Sequence, residues 1–341
     1  MKALNIVIPI VCFLLLLLFS PMGYANDKEI EIFGYYPIDI KKDELEWHSS
    51  GGGFRILSYY KTKEADGLHP TLKTIWGQPS RRFLSYEKFE EDHWVERADL
   101  TRELNIYSLG FGIWNTPQFY FEMTGSVYDG EGQYRSNSNQ KIEYDWQAVK
   151  GNLEIRRRFW IGQSSSKRDL VDIYGNANWY QVTDTSDDGL SVYGFMGGIR
   201  FLKHFIDMPN EVPLIGKSKF YFDAAFNISK RFYEFESDST RYQGKLGMYV
   251  DMKPKVNGGA FQFLRHHSFW VSHSSYHSGD GELELYPDHN STSYLTFGIG
   301  TYVFASRDMS LKIGVHNTRR NVGQLGSHRI STILITLRRE I

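Results

Sequence analysis

The sequence predicts an all-β protein, an antiparallel up-and-down barrel of about twelve strands that crosses a membrane. Three observations carry this reading. Many segments of about 9–14 residues alternate apolar and polar side chains. Aromatic residues make up 16% of the chain, with 22 Tyr and 23 Phe, and such rings favour sites with one apolar and one wet side. Beyond residue 25 no apolar run is long enough for a helical span, so any crossing must use strands.

The N-terminus comes first. Lys2 supplies a positive charge, Ile6 to Phe19 form an apolar stretch, and Pro21 and Gly23 end it. Gly23-Tyr24-Ala25 reads as a small-x-small cleavage site, so residues 1–25 are expected to be a signal peptide and Asn26 the first mature residue. The single cysteine, Cys12, lies inside this segment, so the mature chain is expected to use neither disulfides nor thiolate metal sites. Residues 26–100 are less regular. Phe54, Ile56 and Ser58 to Tyr60 fit one strand and Phe83 to Phe89 another, punctuated by Pro37, Pro70, Pro79 and Gly51-Gly52-Gly53. This region is expected to be an N-terminal extension or additional strands.

Residues 101–341 are expected to form the barrel. Side chains of a strand point alternately to opposite faces. Tyr107, Leu109, Phe111 and Ile113 share one face, and Ser108, Gly110 and Gly112 the other. Phe119, Phe121, Met123 and Val127 oppose Tyr120, Glu122, Thr124 and Ser126. The clearest case sets Phe220, Phe222, Ala224, Phe226 and Ile228 against Tyr221, Asp223, Asn227 and Ser229. Leu246, Met248, Val250 and Met252 oppose Gly247, Tyr249 and Asp251, and Leu295, Phe297, Ile299 and Val303 oppose Thr296, Gly298, Gly300 and Tyr302. The twelve segments lie near 104–114, 118–128, 141–149, 152–162, 175–184, 190–203, 217–230, 241–252, 264–276, 293–304, 309–318 and 328–341. Turns are expected at Lys150-Gly151 and Ser306-Arg307-Asp308, and a long loop at 129–140.

Alternation alone does not separate a membrane barrel from a soluble periplasmic β-sandwich that binds a ligand. Segment length, the aromatic apolar faces and the glycine- and serine-rich opposite faces favour the barrel. Two details strain the pattern. The loop at 129–140 falls on the opposite side from those at 277–292 and 319–327. Arg157 shares a face with Leu153, Ile155 and Phe159, which at mid-bilayer would cost about 2–4 kcal/mol.

At the C-terminus Ile333, Ile335, Leu337 and Ile341 share one parity, interrupted by Arg339, and the last residue is Ile where such barrels usually end on Phe or Trp. The segment count, the signal peptide and this closing strand together resemble the solitary autotransporter-type barrels of Gammaproteobacteria, over roughly residues 100–341. The resemblance implies a cell outer-membrane barrel, structural or pore-like, without a large passenger. Its expected partners are outer-membrane lipids, lipopolysaccharide and the barrel assembly machinery.

Chemistry concentrates in residues 265–280. His266 and Ser268 share a strand face, as do His273 and Ser275, and a base beside a hydroxyl begins a nucleophilic site if a third group orients the base. Glu282, Glu284 and Asp288 are the nearby acids. The His-x-Ser element is similar to that of outer-membrane phospholipase A and lipid A deacylase barrels, where Asn follows the serine. Here Phe269 and Tyr276 follow, so a lipid esterase is the alternative function and these four residues its catalytic candidates. His266, His273 and His277 are not compactly spaced for a metal, and no cofactor site is expected. Gly110-Phe111-Gly112 and Gly298-Ile299-Gly300 sit within strands and lack the helix of a dinucleotide motif. Charge is balanced, 39 Lys+Arg against 40 Asp+Glu, so no nucleic-acid partner is expected. Arg156-Arg157-Arg158 and Arg319-Arg320 read as solvated or lumen charge.

Overall fold

The computed structural model describes fourteen strands and residue 118; the connections and both chain ends lie outside the described residues. The strands are β1 Asp27–Pro37, β2 Leu45–Tyr59, β3 Arg81–Val95, β4 Ala98–Thr116, β5 Phe119–Arg135, β6 Lys141–Ser164 and β7 Lys167–Asp184. There follow β8 Leu190–Met208, β9 Lys217–Tyr233, β10 Ser239–Lys253, β11 His266–Ser278, β12 Ser291–Ala305, β13 Met309–Val322 and β14 Gly326–Glu340. Each strand pairs antiparallel with its neighbours in sequence, and β1 pairs with β14, so the sheet closes on itself with no free edge. Closure excludes the two-sheet sandwich.

Fourteen strands stand where the sequence predicts about twelve. The segments 141–149 and 152–162 are one strand. Lys150 and Gly151 continue the ladder, paired with Ser126 and Gly125 on β5 and with Tyr180 and Trp179 on β7, so no turn forms there. The loop placed at 129–140 is mostly strand as well. β5 runs to Arg135 and pairs with β6 from Lys141, because Asp129 to Gly132 keep the alternation although the lipid-facing run of apolar residues has ended. Merging the two segments reverses the parity of every earlier strand. The connections 136–140, 279–290 and 323–325 then fall at the same end of the barrel. Residues 27–95 hold β1, β2 and β3, which complete the wall. The longest connection, 60–80, and the connection 254–265 join strands at the end that carries the termini.

The outer face is a belt of apolar side chains that no described residue covers. Phe195, Phe297 and Ile299 are 58%, 56% and 57% exposed, and Ile32, Phe54, Leu84, Met123, Ile173 and Phe226 belong to the same belt. A soluble monomer rarely presents a contiguous apolar surface of this extent. Hydrocarbon is the solvent that suits it, and a closed barrel satisfies all backbone groups there. Toward the end away from the termini the outward residues turn polar. Lys88 bridges Glu90 at 3.4 Å and Glu103 at 2.6 Å there, which marks the limit of the belt. Arg157 does face outward. It is level with Phe119, the first residue of β5, and its guanidinium lies 5.2 Å from the Phe159 ring. Exposed apolar residues flank it along β6, Ile155 on one side and Phe159 and Ile161 on the other, so its charge lies within the apolar belt and its long stem must carry the guanidinium toward water.

With about 4.8 Å between strands and a tilt of roughly 40°, fourteen strands enclose a backbone cylinder about 28 Å across. Eight strands give an interior that side chains fill, whereas sixteen to eighteen leave a water channel. The interior here is closer to the second case. Its aromatic rings lie flat against the wall. A Cβ at Gly298 would collide with the Trp270 indole, and one at Gly112 with the Tyr120 ring. Glycine at these two positions lets a large ring from the adjacent strand fold down over bare backbone instead of pointing at the axis.

Candidate functional site

The inward face is built from the wet halves of the alternating strands, and charge dominates it. At the terminus-side level a girdle of ion pairs runs around the wall. Arg55 on β2 reaches Glu31 on β1 at 3.8 Å, and Arg338 on β14 holds both Glu31, at 3.0 Å, and Glu29 across the closing seam. Arg81 on β3 forks onto Glu122 on β5, Nε to Oε2 at 2.9 Å and Nη2 to Oε1 at 3.0 Å, and the Tyr120 hydroxyl donates to the same carboxylate. Arg156 on β6 lies against Glu154, with an Nε–Oε1 distance of 3.1 Å, and 3.7 Å from Asp172 on β7.

The two deepest pairs follow. Arg158 donates from Nε and Nη2 to the two oxygens of Asp172 at 2.8 and 2.9 Å, with its guanidinium 4.6 Å from the Trp114 ring and 5.4 Å from the Trp160 ring. Arg200 on β8 forks onto Asp223 on β9 with both bonds at 2.7 Å, and the Tyr249 hydroxyl donates to Asp223 at 3.3 Å. A small cluster of Leu170, Leu202, Tyr221 and Tyr249, with Trp160 against it, shields these pairs. Bidentate arginine–carboxylate geometry is the form of buried pair that compensates desolvation best.

Above the girdle the balance changes. Six arginines and six carboxylates meet in the girdle, and the described inward residues beyond it include six further cations and one acid. The acid is Glu87, which accepts a hydrogen bond from Tyr35 at 2.9 Å. The cations are Arg102, Lys150, Arg231, Arg241, Lys245 and Lys312. Lys245 lies 5.3 Å from the Trp270 ring. Tyr128 on β5 and Tyr180 on β7 touch edge to face at 5.7 Å across the intervening β6, which the small, buried Ala148 permits. Lys150 is two residues beyond Ala148 on the same face and is paired with Tyr180. Arg231 acts electrostatically on Lys150, and both Arg102 and Arg231 act on Tyr180. Among the described residues neither Lys150 nor Arg231 has an ion-pair partner.

The sequence-predicted catalytic candidates separate. Ser268 faces inward, 4% exposed, and its hydroxyl donates to the Gly300 carbonyl at 3.4 Å. His266 is the first residue of β11, and its side chain lies outside the described residues. His273 and Ser275 share the outward face, and among the described residues neither makes a hydrogen bond. Glu282, Glu284 and Asp288 lie outside the described residues. No group of three metal-ligating side chains occurs among the described residues. The girdle and the Lys150–Tyr180 cluster were not singled out from sequence. The available signal was parity, since Arg156, Arg158 and Asp223 fall on the wet half of their strands.

No protein-family model matches the chain, and no curated protein matches it in sequence. Solved structures match its fold. The β domain of the Bordetella autotransporter BrkA is 9% identical, with a TM-score of 0.51, over 92% of this chain and 98% of that one. The transport unit of the autotransporter AIDA-I from Escherichia coli is 11% identical, with a TM-score of 0.41, over 94% and 92%. Pseudomonas aeruginosa OccK11 (OpdR) is 9% identical, with a TM-score of 0.34, over 92% and 95%.

Proposed function

We propose that the protein is an outer-membrane β-barrel of the solitary autotransporter type that acts as a water-filled pore. One observation carries the reading: a closed fourteen-stranded wall is apolar outside and densely charged inside. Lipid is the environment that favours the outside, and water is the environment that favours the charged side chains within. Two conditions support a pore over a filled structural barrel. The ring of strands is wide, and its aromatic side chains lie along the wall.

The test has two parts. The full chain, expressed in a Gram-negative host, is expected in the outer-membrane fraction, to resist carbonate and urea washing, and to change gel mobility on boiling. Purified protein in a planar bilayer is expected to give stepwise conductance. Release by carbonate removes the membrane assignment, and an inserted, heat-modifiable protein that passes no current removes the pore.

A further inference from the structure

The interior is not electrically neutral, although the whole chain carries a formal net charge of only −1. In the girdle each of six carboxylates has an arginine, so that ring contributes little field beyond its immediate surroundings. Past it the described inward wall holds six cations against Glu87. Charges in a narrow, low-dielectric-walled passage focus their potential into the water between them. Among the described residues the excess is five positive charges, and such an excess raises the local concentration of anions and lowers that of cations.

The excess has a focus. Lys150 on β6 is paired with Tyr180, Arg102 on β4 and Arg231 on β9 act electrostatically on Tyr180, and the acid Glu87 on β3 acts on Tyr128, which touches Tyr180 at 5.7 Å. The arrangement does not neutralise itself within the described residues, since Lys150 and Arg231 have no carboxylate partner there. Two phenol hydroxyls with three cations against one acid, Glu87, supply directed donors as well as net positive charge, which is the equipment for holding an oxyanion. Asn178, on the same face of β7 as Tyr180, adds an amide to this wall.

We propose that the pore is anion-selective and that Lys150, Arg102 and Arg231, with Tyr128 and Tyr180, form its binding station for multivalent oxyanions. This rests on the pore reading above, and the experiment separates the two. The full chain is reconstituted in neutral-lipid bilayers under a KCl gradient, and the reversal potential gives the chloride-to-potassium permeability ratio. Wild type is expected to favour chloride several-fold at about 0.1 M salt. The preference should weaken toward 1 M, where the screening length falls to about 3 Å. Inorganic tripolyphosphate is expected to block the chloride current at concentrations that leave bulk conductivity unchanged.

The double variant Lys150→Glu/Arg231→Glu shifts the local charge by four. It should carry the ratio to unity or below and weaken tripolyphosphate block at least tenfold. Lys150→Gln/Arg231→Gln, which introduces no repulsion and guards against misfolding, should move both readings part of the way. A wild-type pore that prefers potassium or neither ion overturns the inference and leaves the pore standing. So do heat-modifiable variants that keep the wild-type ratio and block. A folded wild type without conductance overturns the pore itself.

Discussion

Asp172→Ala removes the carboxylate that two arginines share. Asp172 and Arg158 are among the most enclosed charged groups in the barrel, with side chains 1% and 2% exposed. Deleting the acid strands the Arg158 guanidinium between Trp114 and Trp160, with Arg156 still nearby and now repelling it. Breaking a buried pair in this way costs about 3–5 kcal/mol, two to three decades in the folding equilibrium. Arg158→Met is expected to cost less, about 1–3 kcal/mol, because Asp172 keeps Arg156 at 3.7 Å and loses only the closer fork. The double change Arg158→Met/Asp172→Leu leaves no orphaned charge and should lie within about 1 kcal/mol of wild type. Urea unfolding from lipid vesicles reads all three, with tryptophan fluorescence reporting from Trp114 and Trp160 themselves. The reasoning fails if Asp172→Ala costs under about 1 kcal/mol, or if Arg158→Met is the more damaging of the two.

Three further outcomes follow from the wall. Ile299 is outward and flanked by Phe269 and Val315, so Ile299→Arg should lower stability by about 2–4 kcal/mol in the same assay, whereas Arg157→Leu, which removes a charge from the belt, should not lower it. Gly298→Val must displace the Trp270 indole from the wall; single-channel conductance should fall and the tryptophan emission of the folded state should shift, and an unchanged conductance would show that the ring does not border the passage. Ser268→Ala and Ser275→Ala should leave fatty-acid release from phospholipid vesicles at background, as in wild type. Release by wild type that either change abolishes would restore the esterase alternative.

Much of the fold was legible because period-two alternation is what a wall between lipid and water requires of a strand. Phe220 to Ser229 shows this: apart from the small Ala225, each strongly apolar residue faces out and each polar one faces in. Errors arose where the alternation continued but composition changed. Lys150-Gly151 looks like a turn because those residue types favour turns, yet pairing on both sides holds them extended. Asp129 to Gly132 reads as a loop because the outward residues are polar, but a strand that has left the lipid no longer needs apolar ones. The girdle was hidden for another reason. Arg81 and Glu122 are 41 residues apart, and only the register of β3, β4 and β5, which sets both level with Gly112, brings them together. The histidine–serine spacing in 266–275 was visible, but i and i+2 fix only a shared face; Ser268 lies on the inward face and the pair His273 and Ser275 on the outward one.

The seam between β1 and β14 separates this ladder from the other thirteen. Those thirteen join consecutive strands and can form in the order the chain is made. The seam alone couples residues at opposite extremes, with Glu31 and Arg338 separated by 307 positions. Until Arg338 arrives, two raw borders with unpaired amides and carbonyls must be kept from hydrocarbon and from each other's wrong partners. Entry into the bilayer is thus governed by how those borders are sheltered, and loss of the final fifteen residues of strand would undo a wall in which every remaining hairpin is intact.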